Sequence, residues 1–377
     1  MRVKYLTDLS KLSQIPDADR EVLKQVTSRY AFRINDYYLG LIDWHDPQDP
    51  IRRLVIPSAE ELQDSGRLDA SDEHSNSPLK GVQHKYPDTV LLLCNEVCGA
   101  YCRYCFRKRL FMKENQEVSL DVSAGLAYIR AHPEVSNVLL TGGDPLMLGT
   151  KRLRQILHEL RRIEHVQIIR IGSKMPAFNP WRILDDEELQ QTLSSYSTPQ
   201  KRIYLMAHFD HPRELTPAAI DGLAQFQRCG VITINQCPLV RDINDNAEVL
   251  AELFSKLSFA GVPPYYIFQC RPTSGNQTYK VPFVRGYSII ENAKRKVSGL
   301  ARRAKYVMSH ASGKIELVGM DYERIYMRYH RAKNPDDEGR FLIFERSDRA
   351  AWLEDLTPVE NPSGALWATE PQEAGLI

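Results

Sequence analysis

No run of about 18 apolar residues occurs in this chain, so no transmembrane helix is expected. The first residues, MRVKYLTDLSKLSQIPDADR, contain no apolar stretch of the kind a signal peptide needs. A cytoplasmic location is the expectation. Neither sign of charge is in excess, since 49 Lys and Arg face 48 Asp and Glu. A chain-wide field for nucleic acid or an anionic membrane is therefore missing, and neither is an expected partner. No strand-like run is followed by GxGxxG or a P-loop, which leaves Rossmann-type and Walker-type nucleotide binding unsupported. Cysteine is scarce as well, with seven in 377 residues. The count is odd and no two separated CxxC pairs exist, so neither a disulfide framework nor an ordinary structural zinc site is expected.

What is present is a large apolar fraction, 43% of residues, enough for a substantial core. Residues 1–80 read as a polar, helical N-terminal region that ends in the linker-like SGRLDASDEHSNSPLKG, rich in Ser, Asp, Asn and Gly. From there short aliphatic runs alternate with amphipathic segments. The runs are VLLLC at Val90, VLLTG at Val138, IIRIG at Ile168, IYLMAHF at Ile203, ITINQCPL at Ile232 and YYIFQC at Tyr265. The segments between them, such as KRLRQILHELRRI and AEVLAELFSKLSFAG, repeat apolar residues at three- and four-residue spacing. This βα repetition predicts a parallel sheet, either open and doubly wound or closed toward a barrel. Polar or unusual residues stand at the C-terminal end of each run, the edge where α/β barrels gather their active sites. After Cys270 the sequence offers one convincing helix and one strand, KYVMSH, before SGKIELVG and a charged tail.

The densest chemistry lies in CNEVCGAYCRYCFRKR, Cys94 to Arg109. Cys98, Cys102 and Cys105 follow the first predicted strand in CxxxCxxC spacing, while Cys229, Cys237 and Cys270 are scattered singly. Three thiolates can hold three irons of a cubane and leave the fourth open to a small chelating ligand. Cys94 falls within the strand and reads as core.

With Tyr104 before its last cysteine, this motif resembles that of the radical S-adenosylmethionine superfamily. GGDPLML at Gly142 is similar to the family's second-strand glycine motif. HKYPDTVLLL, RKR at Arg107, IGSKMP at Ile171, HFDHPREL at His208, INQCPLVRDIND at Ile234 and PPYYIFQC at Pro263 narrow the resemblance to the lysine 2,3-aminomutase family, over residues 30–320. The resemblance implies an α/β fold built on a partial (β/α)6 TIM-like barrel over residues 81–300. A helical region would precede it, and a C-terminal extension, residues 301–377, would follow. It implies a 4Fe-4S cluster on Cys98, Cys102 and Cys105 that cleaves S-adenosylmethionine to start radical chemistry, with an electron donor such as flavodoxin or ferredoxin. Tyr104, Gly142, Gly143, Asp144, Ser173, His208 and Gln236 would surround S-adenosylmethionine. Tyr86 and Arg107 match positions that meet pyridoxal phosphate and substrate, and the cofactor, carried on a lysine, would shuttle the amino group of a small amino acid. Lys314 in SHASGKIEL is the expected lysine.

The chain also departs from that family. Lys85 and Thr89 stand where RYPDR supplies arginines. The Cys-Asp pair whose aspartate meets the ammonium of lysine is here Cys270-Arg271, and the Gly-rich segment with the second aspartate is absent. A buried arginine facing a lysine side chain would cost several kcal/mol, so lysine is not the expected substrate. An acidic amino acid would suit Arg271. Asn246 replaces a zinc-binding cysteine of clostridial-type enzymes, which leaves a homo-oligomer as an open expectation. Two alternatives also stay open: radical chemistry without pyridoxal phosphate (mutase, epimerase or dehydrogenation), and a non-catalytic iron-sulfur protein.

Overall fold

A computed structural model of the protein describes residues 1–63, 65–112 and 115–359. Residues 360–377, part of the expected C-terminal extension, lie outside that range. The N-terminal region holds one long helix, Asp17–Arg29, and a ribbon in which β1 (Tyr5–Leu6) pairs antiparallel with β2 (Ile34–Asn35). Otherwise it is short turns of helix such as Pro50–Val55.

The remaining strands are β3 (Val82–Tyr86), β4 (Thr89–Asn95), β5 (Asn137–Gly142), β6 (Ile168–Ser173), β7 (Ile203–Ala207), β8 (Ile232–Leu239), β9 (Pro264–Gln269), β10 (Lys305–His310), β11 (Gly313–Met320), β12 (Arg324–Ala332) and β13 (Phe341–Glu345). They form a single 11-stranded sheet whose spatial order is the chain order. β4 through β10 run parallel, each pair joined by a crossover helix. All six predicted runs are strands of this parallel set. The helices earn their faces from spacing: Thr150–Arg161 buries Leu153, Ile156, Leu157 and Leu160 and leaves its basic residues outside. Several start on side-chain caps, as where Asn246 accepts from the N–H groups of Glu248 and Val249.

By its hydrogen-bond ladder the sheet is open, and no closed barrel is found among the described residues. Its two ends nevertheless meet through side chains. Arg331 of β12 pairs with Asp88 at 2.8 Å and lies over the ring of Tyr86 at 4.7 Å, and Lys85 donates to the His310 carbonyl. The sheet must therefore curl, with the loops after its parallel strands gathered near the seam.

The region after Cys270 is richer than its sequence reading. β10 is a seventh parallel strand, and β11, β12 and β13 extend the sheet antiparallel. β12 alternates Ile325, Met327 and Tyr329 inward with Arg324, Tyr326 and Arg328 outward, and those outward charges disguised a strand as a charged tail. One continuous apolar core runs from Leu12 to Leu356, so the N-terminal segment and the late strands pack on the same interior.

Candidate active site

The three motif cysteines lie on the loop after β4. They are partly accessible, whereas Cys94, Cys229, Cys237 and Cys270 are buried, and none is in a disulfide. Burial pushes the Cys102 thiol up to about 12, and that of Cys98 is raised as well, with Asp144 and the other two motif thiols adding to the effect. The thiols thus sense one another, yet among the described residues no three His, Cys, Asp or Glu side chains converge on a single-ion site.

The N-terminal segment holds this loop in place. Tyr101 N–H donates to the Arg33 carbonyl at 3.0 Å and Arg103 N–H to that of Leu54 at 2.8 Å. The Arg103 guanidinium, between Cys102 and Tyr104 in sequence, forks onto Glu61 with contacts of 2.9 and 2.7 Å and donates to the Ala31 carbonyl. Both side chains of the pair are almost wholly buried. Sequence reasoning missed Glu61, because nothing local marks a glutamate whose partner lies 42 residues away.

The glycine motif at the end of β5 serves the same loop. Gly142 has φ of +111°, and a Cβ there would lie 2.5 Å from the Asn95 carbonyl oxygen. At Gly143 a Cβ would come within 2.6 Å of the Val97 backbone. The pair lets the end of β5 pack directly on the start of the cysteine loop. Asp144 turns its carboxylate into the protein, where it accepts from Leu146 N–H at 3.0 Å, Ser173 Oγ at 2.9 Å and Lys174 N–H at 2.8 Å. Burial raises this carboxyl to about 6 in spite of those bonds. Asp144 and Ser173 therefore staple the ends of β5 and β6.

Beyond the glycine motif, Tyr104 donates to Asp210 Oδ2 at 2.6 Å, and its oxygen lies 2.9 Å from His208 Nε2. His211 accepts from Arg213 N–H in a capping turn, so it is a satisfied strand-end histidine. Behind them Lys174 Nζ bridges Asp210 Oδ2 and Glu214 Oε1, each at 2.6 Å, and Tyr38 donates to Glu214. Burial opposes charge on Lys174, but the two carboxylates outweigh it and hold the ammonium well above its ordinary range. Lys174 also acts electrostatically on Cys102. The quoted IGSKMP contains this lysine, although its role emerges only when β6 and β7 pair. Gln236 in β8 is half-buried with no side-chain hydrogen bond among the described residues.

Near the seam, Lys314 of β11 sits with Nζ 4.2 Å from the Tyr266 ring centroid and 5.7 Å from that of Phe268. It has no carboxylate partner among the described residues. Burial, reinforced by Arg170, Arg331, Lys85 and Arg271, lowers its amine to about 7. Burial also lowers Lys85 to about 8. The Tyr86 ring lies under the Arg331 guanidinium. Arg271 stacks 3.6 Å over the Phe106 ring, and its nearest carboxylate, Glu73, is 3.6 Å away. Arg107 is buried and committed: it meets Glu73 at 3.1 and 2.9 Å, Thr141 at 2.9 Å and Gln83 at 3.0 Å.

Comparison with known proteins decides the family. The chain is 52% identical over 94% of its length to a protein from Aquifex aeolicus (strain VF5) that bears a provisional L-lysine 2,3-aminomutase name, and covers 96% of it. The L-lysine 2,3-aminomutase of Clostridium subterminale is 36% identical over 79% of this chain and 71% of its own. The chain belongs to the lysine 2,3-aminomutase family. That family includes the glutamate 2,3-aminomutase of Clostridioides difficile (strain 630), 32% identical over 80% of this chain and 70% of its own. No family model matches the chain.

Lysine 2,3-aminomutases are radical S-adenosylmethionine isomerases, so membership makes this protein an aminomutase-like enzyme and brings with it a 4Fe-4S cluster and S-adenosylmethionine. The site fits both: three partly accessible thiols stand on one loop with Tyr104, and Ser173 at the end of β6, His208 just after β7 and Gln236 within β8 belong to successive strands of the same sheet. Among the described residues no helix is long and apolar enough to cross a membrane.

Proposed function

We propose that this chain is a pyridoxal-phosphate-dependent amino acid 2,3-aminomutase whose substrate is an acidic amino acid rather than lysine. The observation that carries the proposal is Lys314. A lysine must be neutral to bond to an aldehyde carbon, and desolvation among like charges is the standard way to make it so near neutral pH. The same cations that depress Lys314 also fit the rest of the cofactor. Lys85, Arg170 and Arg331 all act on the amine, and among the described residues only Arg331 of the three is ion-paired, with Asp88, a surplus of positive charge suited to a phosphate. Tyr86 offers an aromatic face at the same seam. Lys85 thus stands in a position to replace part of the arginine set that the chain lacks.

When bound, pyridoxal phosphate would supply the conjugated system that carries an amino group between adjacent carbons. The chain's own residues do the remainder. Cys98, Cys102 and Cys105 bind the cluster, and Lys314 presents its amine from β11. Arg271 offers the substrate an anion-binding fork where lysine enzymes of the family would need an anion. The glutamate-acting relative shows that the family is not confined to lysine.

The test is borohydride reduction of anaerobically purified protein supplemented with pyridoxal phosphate, followed by peptide mass spectrometry, with Lys314→Ala as control. A phosphopyridoxyl group on Lys314 supports the proposal. An intact cluster with no lysine adduct overturns it and leaves radical chemistry without pyridoxal phosphate. An electron donor of the flavodoxin or ferredoxin kind would be needed in either case.

A further inference from the structure

β11 and β12 set two cations side by side at the seam. Ile315 pairs with Tyr329, yet one residue earlier Lys314 pairs with Arg331, so β12 carries one extra residue, His330. In an unbroken antiparallel ladder His330 would stand opposite Lys314, and Arg331 would point to the same face as Tyr329. Bulges of this kind re-aim side chains and gather near active sites. The next pair, Gly313 with Ala332, keeps the new register, and a Cβ at Gly313 would run into the Arg331 carbonyl oxygen. Glycine is what lets β12 close on the turn there. His330 is held within the bulge by the Tyr266 hydroxyl at 2.6 Å.

Like charges directly opposite one another across a ladder repel. Arg331 has a partial answer in Asp88, whose Oδ1 accepts from Nη2 at 2.8 Å while Oδ2 lies 3.4 Å from Nη1. The Tyr86 ring, with its centroid 4.7 Å away, supports the guanidinium from one side. Its Nε makes no hydrogen bond among the described residues, and the side chain is 35% accessible, so the group can still be reached. Lys314 has no carboxylate of its own among the described residues, and Arg170 and Lys85 add to the same field from β6 and β3. Two neighbouring cations thus share one carboxylate, and the charge left over calls for an anion beside them.

We propose that Arg331 anchors the phosphate of the cofactor carried on Lys314, with Asp88 as the carboxylate that competes for the same guanidinium. In pyridoxal phosphate the aldehyde and the phosphomethyl group stand on adjacent ring carbons, so a lysine and a phosphate anchor that serve one molecule lie close together. A cross-strand pair, with Cβ atoms about 5 Å apart, meets that condition. The guanidinium fork suits a phosphate dianion. The inference rests on the reading of Lys314 as the cofactor's lysine and deepens it by naming the residue, brought into place by a one-residue bulge, that recognises the phosphate.

The test is calorimetric titration of the full-length, anaerobically purified protein with pyridoxine 5′-phosphate and with pyridoxine, neither of which has an aldehyde. The wild type should prefer the phosphorylated compound, and Arg331→Met should reduce that preference roughly tenfold while the affinity for pyridoxine itself stays put. Arg331→Lys restores the charge without the fork and should recover part of the preference. A purely structural Arg331 would weaken both compounds together. A wild type that does not discriminate between the two, or an Arg331→Met protein whose preference is undiminished, overturns the inference. If Arg331→Met does not fold, Asp88→Asn decides: withdrawing the competing carboxylate should raise the preference, and an unchanged or lower one is the refuting result. Because the probes cannot bond to an amine, absence of a Lys314 adduct would sink the pyridoxal phosphate reading while an Arg331-dependent preference still stood. An adduct on Lys314 with no such preference would sink only this inference, so the two failures are distinguishable.

Discussion

Replacing Glu61 by Gln should damage both the stability of this enzyme and its grip on iron. Glu61 is fully buried, and Arg103 is 2% exposed. Between them run contacts of 2.9, 3.2 and 2.7 Å, and Lys108 Nζ lies 3.8 Å from the same carboxylate. Removing the charge leaves a guanidinium in the interior without a counter-ion, a change that costs about 3–5 kcal/mol. For a chain of this size the corresponding fall in Tm is about 4–6 °C. Because Arg103 stands between Cys102 and Tyr104, its loosening should weaken cluster retention by about 10- to 100-fold, the range for residues that orient metal ligands from behind. The assays are anaerobic urea unfolding and iron and sulfide content after chelator challenge. The double variant Glu61→Leu/Arg103→Met should recover part of the stability, since it removes the orphaned guanidinium and leaves only Lys108 without its carboxylate. A Glu61→Gln protein that loses less than about 1 kcal/mol and keeps its iron under chelator would refute this account of the loop.

Three further outcomes follow from the geometry. Cys98→Ala, Cys102→Ala and Cys105→Ala should each lose the cluster chromophore, whereas Cys94→Ala, buried in β4, should keep it; iron analysis after anaerobic reconstitution separates them. Gly143→Ala should displace the cysteine loop, because the new methyl would lie 2.6 Å from the Val97 nitrogen and oxygen, and iron should fall while far-ultraviolet circular dichroism stays close to wild type. Lys314 should react with an amine-directed reagent half-maximally near pH 7, while surface lysines respond near their usual 10. With its amine depressed, the folded state binds fewer protons than the unfolded state between those values. Stability should accordingly rise with pH from about 7 toward 10, and Lys314→Met should flatten that rise. A Lys314 that labels in step with the surface lysines would contradict the buried site.

Much of this was written locally. The parallel strands were legible because β-branched and aliphatic runs alternate with helical spacing over a few residues at a time, and the helices of residues 150–161 and 247–259 declare their buried faces by sequence alone. The cysteine loop was legible for the same reason, since its ligands are separated by three and two residues. Lys314 could be picked out by its flanks, although its depressed amine could not. That depends on Arg170, Arg331, Lys85 and Arg271, which four different parts of the chain bring to the seam.

What only the tertiary structure decided are the long-range charge pairings. Asp69 to Asn76 look like solvated linker, because Ser, Asp and Asn favour turns and nothing nearby in sequence needs an anion. Folding puts Glu73 beside Arg107, 34 residues on, and brings Arg271 to it from the end of β9. Glu61 and Lys174 were hidden in the same way, as common charged residues whose partners are fixed by the packing of separate elements. Backbone periodicity and ligand spacing are short-range properties and stand in the chain itself. Which carboxylate meets which guanidinium is set by how the sheet curls.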